Sequence, residues 1–237
     1  MDLDNINLLC HANFVSDKRG YSIMEKKIKR IAVIGATGKA GRAVVKEAIA
    51  KGYDVTAVVR NLSSLPPATG MKVQQANVMN AESLALVFKN VDAVISCLGP
   101  AKNLQPGKVM SEGTKNIVEA CEFTKVKRLV VLSGVLQSDG IGLSSLNKIA
   151  ISLFRLIYRK VVKDKLVGER IIQQSGLNWV IVHATGLSDR APTGQYIAGP
   201  HASISLARPI PVADCASCLV RAVEAPEWTR QNINVGI

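Results

Sequence analysis

Aromatic residues are scarce in this sequence of 237 residues, since phenylalanine, tryptophan and tyrosine together make up 4% of it. Proteins that bind single-stranded nucleic acid stack the bases on aromatic side chains interspersed with basic residues. No arginine-rich run of this chain alternates with tyrosine or phenylalanine. We therefore expect no nucleic-acid partner.

Long apolar runs are also missing. A helix that crosses a bilayer needs about twenty consecutive, mainly apolar residues. The longest apolar-rich segment, 149–162, is interrupted by Arg155, Arg159 and Lys160. The sequence therefore predicts no transmembrane span.

The cysteines argue against a disulfide framework. There are five, an odd number scattered along the chain, and no signal-peptide pattern precedes them. A reducing compartment, the cytoplasm, is the simplest interpretation. Cys215 and Cys218 form a C-x-x-C pair, but they lie in an apolar, alanine-rich segment near the C-terminus. We interpret them as small residues of a packed helix rather than as a thioredoxin-like motif.

Acidic residues are outnumbered by basic ones, 18 against 30, which leaves a formal net charge of +12. Such a surplus favours anionic partners such as phosphates, carboxylated small molecules, nucleic acid or acidic lipid, and it does not distinguish among them. Segment 148–165 is rich in these cations. It is typical of an amphipathic helix with a solvated basic face, and the alternatives are a lid, a face for an anionic substrate, or a helix that touches a membrane or a partner. Its basic residues are Lys148, Arg155, Arg159, Lys160, Lys163 and Lys165.

Short apolar runs alternate with amphipathic stretches from residue 29 onward. The pattern predicts strands over 29–34, 54–59, 71–75, 92–97, 127–133 and 178–182, and helices over 38–51, 81–89 and 108–123, with a long helical stretch that ends near 174. Parallel strands need crossover helices. The expected fold is an α/β doubly wound parallel sheet of the Rossmann type.

The two ends of the chain differ from this pattern. Residues 1–23 show no periodicity and are interpreted as an N-terminal extension, with 24–237 as one domain. After the sixth strand the sequence is irregular and rich in proline and glycine, as in loops that shape a substrate pocket. We expect these loops to form a small C-terminal substrate lobe.

Three glycines spaced G-x-x-G-x-x-G stand between the first strand and the first helix: Gly35, Gly38 and Gly41. The first permits a tight turn, the second lets the backbone approach a pyrophosphate, and the third lets helix and strand pack closely. The pattern predicts a dinucleotide site, and hence an NAD(P)-binding domain over 24–237. Lys39, inside the loop, adds a cation.

The end of the second strand indicates which cofactor is preferred. An NAD site usually has an acidic residue there, which binds the ribose 2′-OH. This chain has Arg60, which can hold a 2′-phosphate by charge-assisted hydrogen bonds. The predicted cofactor is therefore NADPH.

These residues resemble the atypical short-chain dehydrogenase/reductases, and within them the biliverdin-IXβ reductase/flavin reductase group. The similarity extends from residue 29 to about 196. The most specific segments are Ile34-Gly-Ala-Thr-Gly38, Val59-Arg60 and Val109-Met-Ser-Glu-Gly113. NmrA-like redox sensors are further relatives of the same type.

The resemblance implies a role for each matching position. It assigns Gly35, Thr37, Gly38 and Gly41 to the pyrophosphate and Arg60 to the 2′-phosphate. It further assigns Leu98 and Gly99 to the adenine ribose, Ser133 to the nicotinamide end, and the adenine side to Asn77, where the family often has an acidic residue.

The proton-transfer motif of the main-line short-chain dehydrogenases, Tyr-x-x-x-Lys, is missing, because Tyr158 is followed four residues later by Val162. Ser133 can instead hydrogen-bond an acceptor or a water, and His183, at the end of the sixth strand, can donate a proton. These two are the candidate catalytic residues, and no metal ligands are predicted.

The resemblance implies an NADPH-dependent reductase that transfers a hydride to a flavin, a tetrapyrrole-like molecule or a quinone. The alternative is a non-catalytic NADP(H)-binding redox sensor or assembly protein, which the missing Tyr-x-x-x-Lys favours. The expected partner is a small, anionic or flavin-like acceptor, and the expected oligomeric state is a monomer or a homodimer.

Overall fold

The computed structural model describes residues 28–66, 68–99, 108–138, 140, 143 and 145–237. The predicted extension, 1–23, lies outside these described residues. The strands within them are β1 (Arg30–Ile34), β2 (Asp54–Val59), β3 (Met71–Gln75), β4 (Ala93–Ser96), β5 (Arg128–Gly134), β6 (Trp179–Ala184), β7 (Leu187–Ser188), β8 (Ile197–Gly199), β9 (Ile210–Pro211) and β10 (Gln231–Gly236). The helices are α1 (Lys39–Ala50), α2 (Ala81–Phe88), α3 (Val109–Phe123), α4 (Ser145–Ile157), α5 (Arg159–Gln174) and α6 (Val212–Arg221).

Eight of the described strands form one sheet in the order β3-β2-β1-β4-β5-β6-β10-β8. All neighbours are parallel except β10 and β8, which are antiparallel. The chain passes from β1 to β2 on one side and returns to place β4 on the other. The carboxyl ends of β1 and β4 therefore meet at the switch point where open α/β sheets bind ligands.

Both faces of the sheet are buried, and β1 shows this residue by residue. Ile31 and Val33 belong to a core shared with α1 and α6. Ala32 and Ile34 point to the opposite core, where the apolar side chains of α2, α3 and α5 pack. A strand buried on both faces needs a continuous apolar run rather than an alternating one, as β1 has. The predicted doubly wound Rossmann fold is confirmed.

Two elements differ from the sequence-based expectation. The long helical stretch consists of α4 and α5, which meet at Tyr158. Helical hydrogen bonds continue across this point, from the Tyr158 N–H to the Phe154 carbonyl at 2.9 Å and from the Val162 N–H to the Tyr158 carbonyl at 3.0 Å. The sequence pattern also predicts no strand after the sixth, whereas in the structure β10 pairs with β6.

The region after β6 forms a small lobe on the carboxyl ends of the strands, where β7 pairs with β9 in a separate two-stranded sheet. The Asp214 carboxylate, in the first turn of α6, holds this lobe in place. It accepts hydrogen bonds from the Thr193 N–H at 2.9 Å, the Thr193 hydroxyl at 2.7 Å and the Gly194 N–H at 3.1 Å. Burial alone would raise the pKa of Asp214, but these hydrogen bonds lower it.

None of the helices in the described ranges is long and apolar enough to span a membrane.

Arg128 fastens the C-terminal segment to the sheet. It is buried at the start of β5, and its guanidinium donates hydrogen bonds to the carbonyl of Ala222 at 3.0 Å, to the hydroxyl of Thr229 at 2.6 Å and to the carbonyl of Ala225. These acceptors lie in the connection between α6 and β10. Arg128 therefore satisfies three polar groups that are buried or partly buried.

Replacement of Arg128 by methionine should destabilise the protein, because it keeps the side-chain length but leaves these acceptors unpaired. We expect Arg128→Met to lower the free energy of unfolding in urea by about 2–4 kcal/mol. Arg170→Met, at an exposed position of α5, is the control and should change stability by less than about 0.5 kcal/mol. Equal stability of both variants would contradict this role.

Asp92 ties the start of β4 to β1. Its carboxylate accepts hydrogen bonds from the N–H groups of Lys29 and Arg30, at 3.1 and 3.0 Å, and forms an ion pair with Arg30 at 3.2 Å. Burial alone would raise the pKa of Asp92, but the Arg30 side chain and the two N–H groups lower it to about 2. The charged form is therefore favoured in the folded protein.

The contribution of Asp92 to stability should depend on pH. Because its folded pKa lies below the ordinary value of 3.8, the stabilisation is complete above pH 4 and is lost as the pH falls toward 2. We expect Asp92→Asn to be less stable than the parent by about 1–2 kcal/mol at pH 7. The difference should shrink toward zero near pH 2. Urea unfolding at a series of pH values measures this difference in the free energy of unfolding. If it stays constant from pH 7 to pH 2, the charged hydrogen bonds of Asp92 are not its source.

Candidate functional site

A cavity of about 790 Å³ opens at the carboxyl ends of β1, β2, β4, β5 and β6. Its size is that of a small-molecule or cofactor site. The glycine loop forms one wall and the ends of β5 and β6 form another. The predicted site residues among its lining are Gly35, Thr37, Gly38, Lys39, Gly41, Arg60, Leu98, Gly99 and Ser133.

The glycine loop leaves no space for side chains at its first and third glycines. Gly35 has a φ of +73°, and a Cβ there would lie 2.6 Å from the Cys97 carbonyl oxygen. A Cβ on Gly41 would lie 2.1 Å from the Gly35 carbonyl oxygen. The turn after β1 therefore packs directly against α1 and against the end of β4, as the spacing of the glycines predicts.

The N-terminus of α1 opens into this cavity. Gly38 is the N-cap of the helix and is exposed, and the first turn contains no acidic residue. Unpaired N–H groups and the positive end of the helix dipole favour a phosphate at such a position. A Cβ on Gly38 would lie 3.2 Å from the Gly35 carbonyl oxygen, a tight contact. The described residues therefore fit the pyrophosphate of a dinucleotide.

Three cations and no carboxylate are found among the described residues that line the cavity: Lys39, Arg60 and Lys165. Lys39 forms an ion pair with Asp189 at 2.7 Å, and the Asp189 side chain is 86% exposed. An ion pair this exposed contributes little stability, so Lys39 can exchange its partner for a ligand phosphate. Arg60 is exposed at the end of β2. The lining is electrostatically suited to an anionic ligand.

Of the residues assigned to the adenosine half of the cofactor, some line the cavity and one does not. Leu98 and Gly99 line the cavity just after β4. Asn77 is not among the lining residues, although its neighbours Ala76 and Val78 are. The Asn77 side-chain oxygen accepts a hydrogen bond from the Met79 N–H at 3.0 Å, within the turn that leads to α2. Asn77 is therefore engaged in local structure at the edge of the site.

A buried polar network lies behind the wall formed by β5 and β6. The Ser133 hydroxyl donates a hydrogen bond to the Glu169 carboxylate at 2.5 Å. The Nε2 atom of His183 lies 3.2 Å from both Glu169 oxygens. Ser133 and His183 are paired in register on β5 and β6, and Glu169 comes from α5.

His183 and Ser133 therefore differ in access to the cavity. Ser133 lines it, whereas His183 is 1% exposed and is not among the lining residues. If the Nε2 atom donates to the Glu169 carboxylate, Nδ1 carries a lone pair that has no hydrogen-bond partner. His183 contacts Glu169 and not the cavity, so it reaches a ligand only through Glu169 and Ser133.

Glu169 was not predicted as a site residue, and Lys165 was named only as one of the basic residues of segment 148–165. Lys165 lines the cavity from α5. Burial lowers the pKa of Lys165, and the nearby Glu169 carboxylate raises it. The two residues are four apart, a spacing that places them on one face of a helix and could have revealed them. A solvated basic face was the first interpretation of that segment, with a face for an anionic substrate as an alternative.

Four of the five cysteines lie in the part of the chain that the structure describes. Cys97, Cys121, Cys215 and Cys218 are all free. Cys215 and Cys218 are buried in α6, and burial raises the pKa of the Cys218 thiol to about 12. The interpretation of the C-x-x-C pair as packed helix residues is confirmed. Within the described ranges no cluster of three or more His, Cys, Asp or Glu residues can hold a metal ion.

Comparison with known proteins agrees with this geometry. A family model described as NAD(P)H-binding matches residues 35–226. The chain is 30% identical over 186 residues to an uncharacterized chloroplastic protein of Arabidopsis thaliana, covering 73% of this chain and 65% of that protein. It is 26% identical over 220 residues to the photosystem II assembly factor Ycf39 of Synechocystis, covering 87% and 62%. The chain thus spans less than two thirds of the length of both relatives.

Solved structures share the fold. A short-chain dehydrogenase/reductase of Veillonella parvula in complex with NADP has a TM-score of 0.72 and 18% identity, covering 89% of this chain and 95% of that one. An anaerobillin reductase of Escherichia coli O157:H7 has a TM-score of 0.70 and 20% identity, covering 88% and 97%. At these identities the likeness establishes the fold alone. Together with the family model, it shows that this chain belongs to the NAD(P)H-binding family and has the fold of the short-chain dehydrogenase/reductases.

Proposed function

We propose that this protein is an NADPH-dependent reductase that transfers a hydride to a small flavin-like, tetrapyrrole-like or quinone acceptor. The observation that carries the proposal is the cavity itself, with a glycine loop at one end, three cations and no described carboxylate in its lining, and Ser133 at the other end. The nicotinamide of a bound NADPH supplies the hydride. The protein binds and orients NADPH and the acceptor, and it supplies the proton.

The preference for NADPH over NADH rests on Arg60. Its position at the end of β2 is the one that usually contacts the 2′ substituent of the adenine ribose. An arginine there attracts a phosphate through charge-assisted hydrogen bonds, whereas a hydroxyl gains little from it.

Ser133 and Lys165 are proposed to contact the reacting end of the ligands, since both line the cavity on the side of β5 and α5. The Ser133 proton is donated to Glu169, so the Ser133 oxygen is left to accept a hydrogen bond from a ligand. The Lys165 ammonium can donate one, or give a proton to a reduced acceptor. Glu169 and His183 are positioning residues that hold Ser133 and the charge of Lys165 in place.

The acceptor class rests on the cavity and on related folds. Apolar side chains that line the cavity include those of Val109, Leu132 and Leu187. A flat conjugated acceptor fits an apolar wall with a few polar groups. The anaerobillin reductase and a putative NADH-flavin reductase of Streptococcus pneumoniae share the fold and act, by their names, on such molecules.

A second candidate is a non-catalytic NADP(H)-binding sensor or assembly protein. Two observations favour it: the missing Tyr-x-x-x-Lys and the similarity to a photosystem II assembly factor. Both candidates predict NADPH binding, and only the reductase predicts its oxidation. The predicted cytoplasmic location is a separate question, since some relatives are named chloroplastic.

The direct test follows NADPH absorbance with flavin mononucleotide, riboflavin, biliverdin and simple quinones in turn. Acceptor-dependent oxidation that is lost in Ser133→Ala supports the reductase. Tight NADPH binding without oxidation of any acceptor supports the sensor.

Removal of the Arg60 charge should weaken NADPH binding selectively. We expect Arg60→Ala to raise the Kd for NADPH by roughly 10- to 100-fold, the loss of one charge-assisted contact. The Kd for NADH should stay within about twofold, because NADH has no 2′-phosphate. Isothermal titration calorimetry measures both, with Arg170→Ala as a matched exposed control. Equal weakening for the two cofactors would show that Arg60 does not contact the 2′ position.

The pH dependence of activity should report the charge on Lys165. Since burial lowers its pKa, kcat/KM should fall with rising pH below the 10.5 of an ordinary lysine, as the ammonium loses its proton. Glu169→Gln removes the carboxylate that raises this pKa, so the fall should begin at a lower pH.

Lys163→Met is the matched control for Lys165→Met, because Lys163 is exposed on the same helix and does not line the cavity. Lys163→Met should keep the parent profile, and Lys165→Met should abolish the fall. A shift to higher pH in Glu169→Gln would contradict the assigned coupling.

A further inference from the structure

Helix α4 presents an uncovered apolar surface. Five of its side chains, at positions i, i+3, i+7, i+10 and i+11 and therefore on one face of the helix, are between 61% and 79% exposed. No described residue of the chain packs over them. We refer to this set as the apolar stripe, and its members are Leu146, Ile149, Leu153, Leu156 and Ile157. Phe154 and Tyr158, 48% and 41% exposed, flank it.

The side of α4 opposite the apolar stripe contacts the rest of the protein, so the stripe faces away from it. Ile151 is buried in a small core with Val135, Leu143 and Ile204. The Arg155 guanidinium donates hydrogen bonds to the Leu136 carbonyl at 2.7 Å and to the Ser138 carbonyl. The helix therefore buries one apolar residue on its inner side and leaves most of its apolar surface in water, which is unusual for a monomeric soluble protein.

The charge around the stripe has one sign. Between residues 145 and 163 there are five basic residues and no acidic one. Lys148, Arg159, Lys160 and Lys163 are exposed. The next residue, Asp164, is turned toward α3, where its carboxylate accepts hydrogen bonds from the N–H groups of Met110 and Ser111 at 3.1 and 3.2 Å. The exposed cations are therefore not neutralised within this segment.

We propose that α4 lies in the headgroup region of a membrane that contains anionic lipids, with the apolar stripe in the acyl boundary and the flanking cations on the headgroups. An amphipathic helix with a lysine- and arginine-rich border binds membranes in this way. The helix lies along the surface and does not cross it, since it has 13 residues. A helix of this length measures about 20 Å.

A lipid surface fits these observations better than the other possible occupants. A second copy of this chain would bring two sets of unneutralised cations together, which costs free energy. A folded acidic protein would need a groove shaped to five aliphatic side chains on a convex helix, whereas a bilayer adapts its shape. The inference is independent of the proposed reductase activity.

Flotation with lipid vesicles tests the proposal on the full chain. We expect binding to phosphatidylcholine vesicles that contain about 30% phosphatidylglycerol to be roughly tenfold or more tighter than binding to pure phosphatidylcholine. Binding should fall in about 0.5 M salt, where surface charges are screened. Failure to float with either vesicle at low salt overturns the proposal.

Two double variants separate the apolar and ionic contributions. Leu153→Glu with Ile157→Glu and, separately, Lys160→Glu with Lys163→Glu should each weaken vesicle binding by roughly tenfold or more. The matched control is Leu86→Glu, which alters a leucine on α2 that is 79% exposed and should leave binding unchanged. All these positions are exposed, and thermal melts check that each variant folds.

Sedimentation equilibrium measures the oligomeric state and so tests whether a second copy of the chain covers the stripe. A dimer that dissociates in the Leu153→Glu, Ile157→Glu variant would assign the stripe to a second copy and overturn the lipid proposal. Vesicle binding that is equal in the parent and in both double variants would overturn it as well.

Discussion

The close contact between Gly41 and Gly35 is the constraint on which the rest of the site depends. With only 2.1 Å between a Cβ at position 41 and the Gly35 carbonyl oxygen, helix α1 can rest on the turn after β1 only if position 41 has no side chain. This contact sets the start of α1 at the sheet edge, where its free N–H groups face the cavity. The same turn contacts the backbone of Cys97 at the end of β4. The glycine loop is therefore packed between β1, α1 and β4.

Charge is arranged differently at the two ends of this cavity. At the glycine loop, Lys39 and Arg60 are exposed cations, and solvent screens them until an anionic ligand arrives. At the other end, Lys165 is partly withdrawn from water, with the Glu169 carboxylate of its own helix as its neighbour. Glu169 in turn binds Ser133 and His183 from two adjacent strands. The Ser133 end of the cavity is therefore backed by a buried hydrogen-bonded network, whereas the glycine-loop end presents two exposed cations.

Local sequence patterns predicted the strands and helices with a clear apolar periodicity and the turn formed by the glycine loop. The apolar run before Gly35 identified β1, and the strand-turn-helix context of the glycines located the cavity. Strand β10 was missed because Asn232 and Asn234 interrupt its apolar residues, and only the fold shows that Asn234 is buried and hydrogen-bonded to the lobe and to Ser138. Glu169 has one local signal, its i, i+4 spacing to Lys165, but its hydrogen-bond partners Ser133 and His183 lie 36 and 14 residues away in the sequence. Long-range polar pairing leaves no periodicity to detect.

Hydrogen–deuterium exchange with and without NADPH tests most directly whether the cofactor occupies this cavity. We expect added protection in the segments around residues 35–42, 58–60, 97–99 and 132–134, which lie on separate elements and meet at the carboxyl ends of the strands. Protection confined to other segments, or none at saturating NADPH, would contradict the assignment of the site.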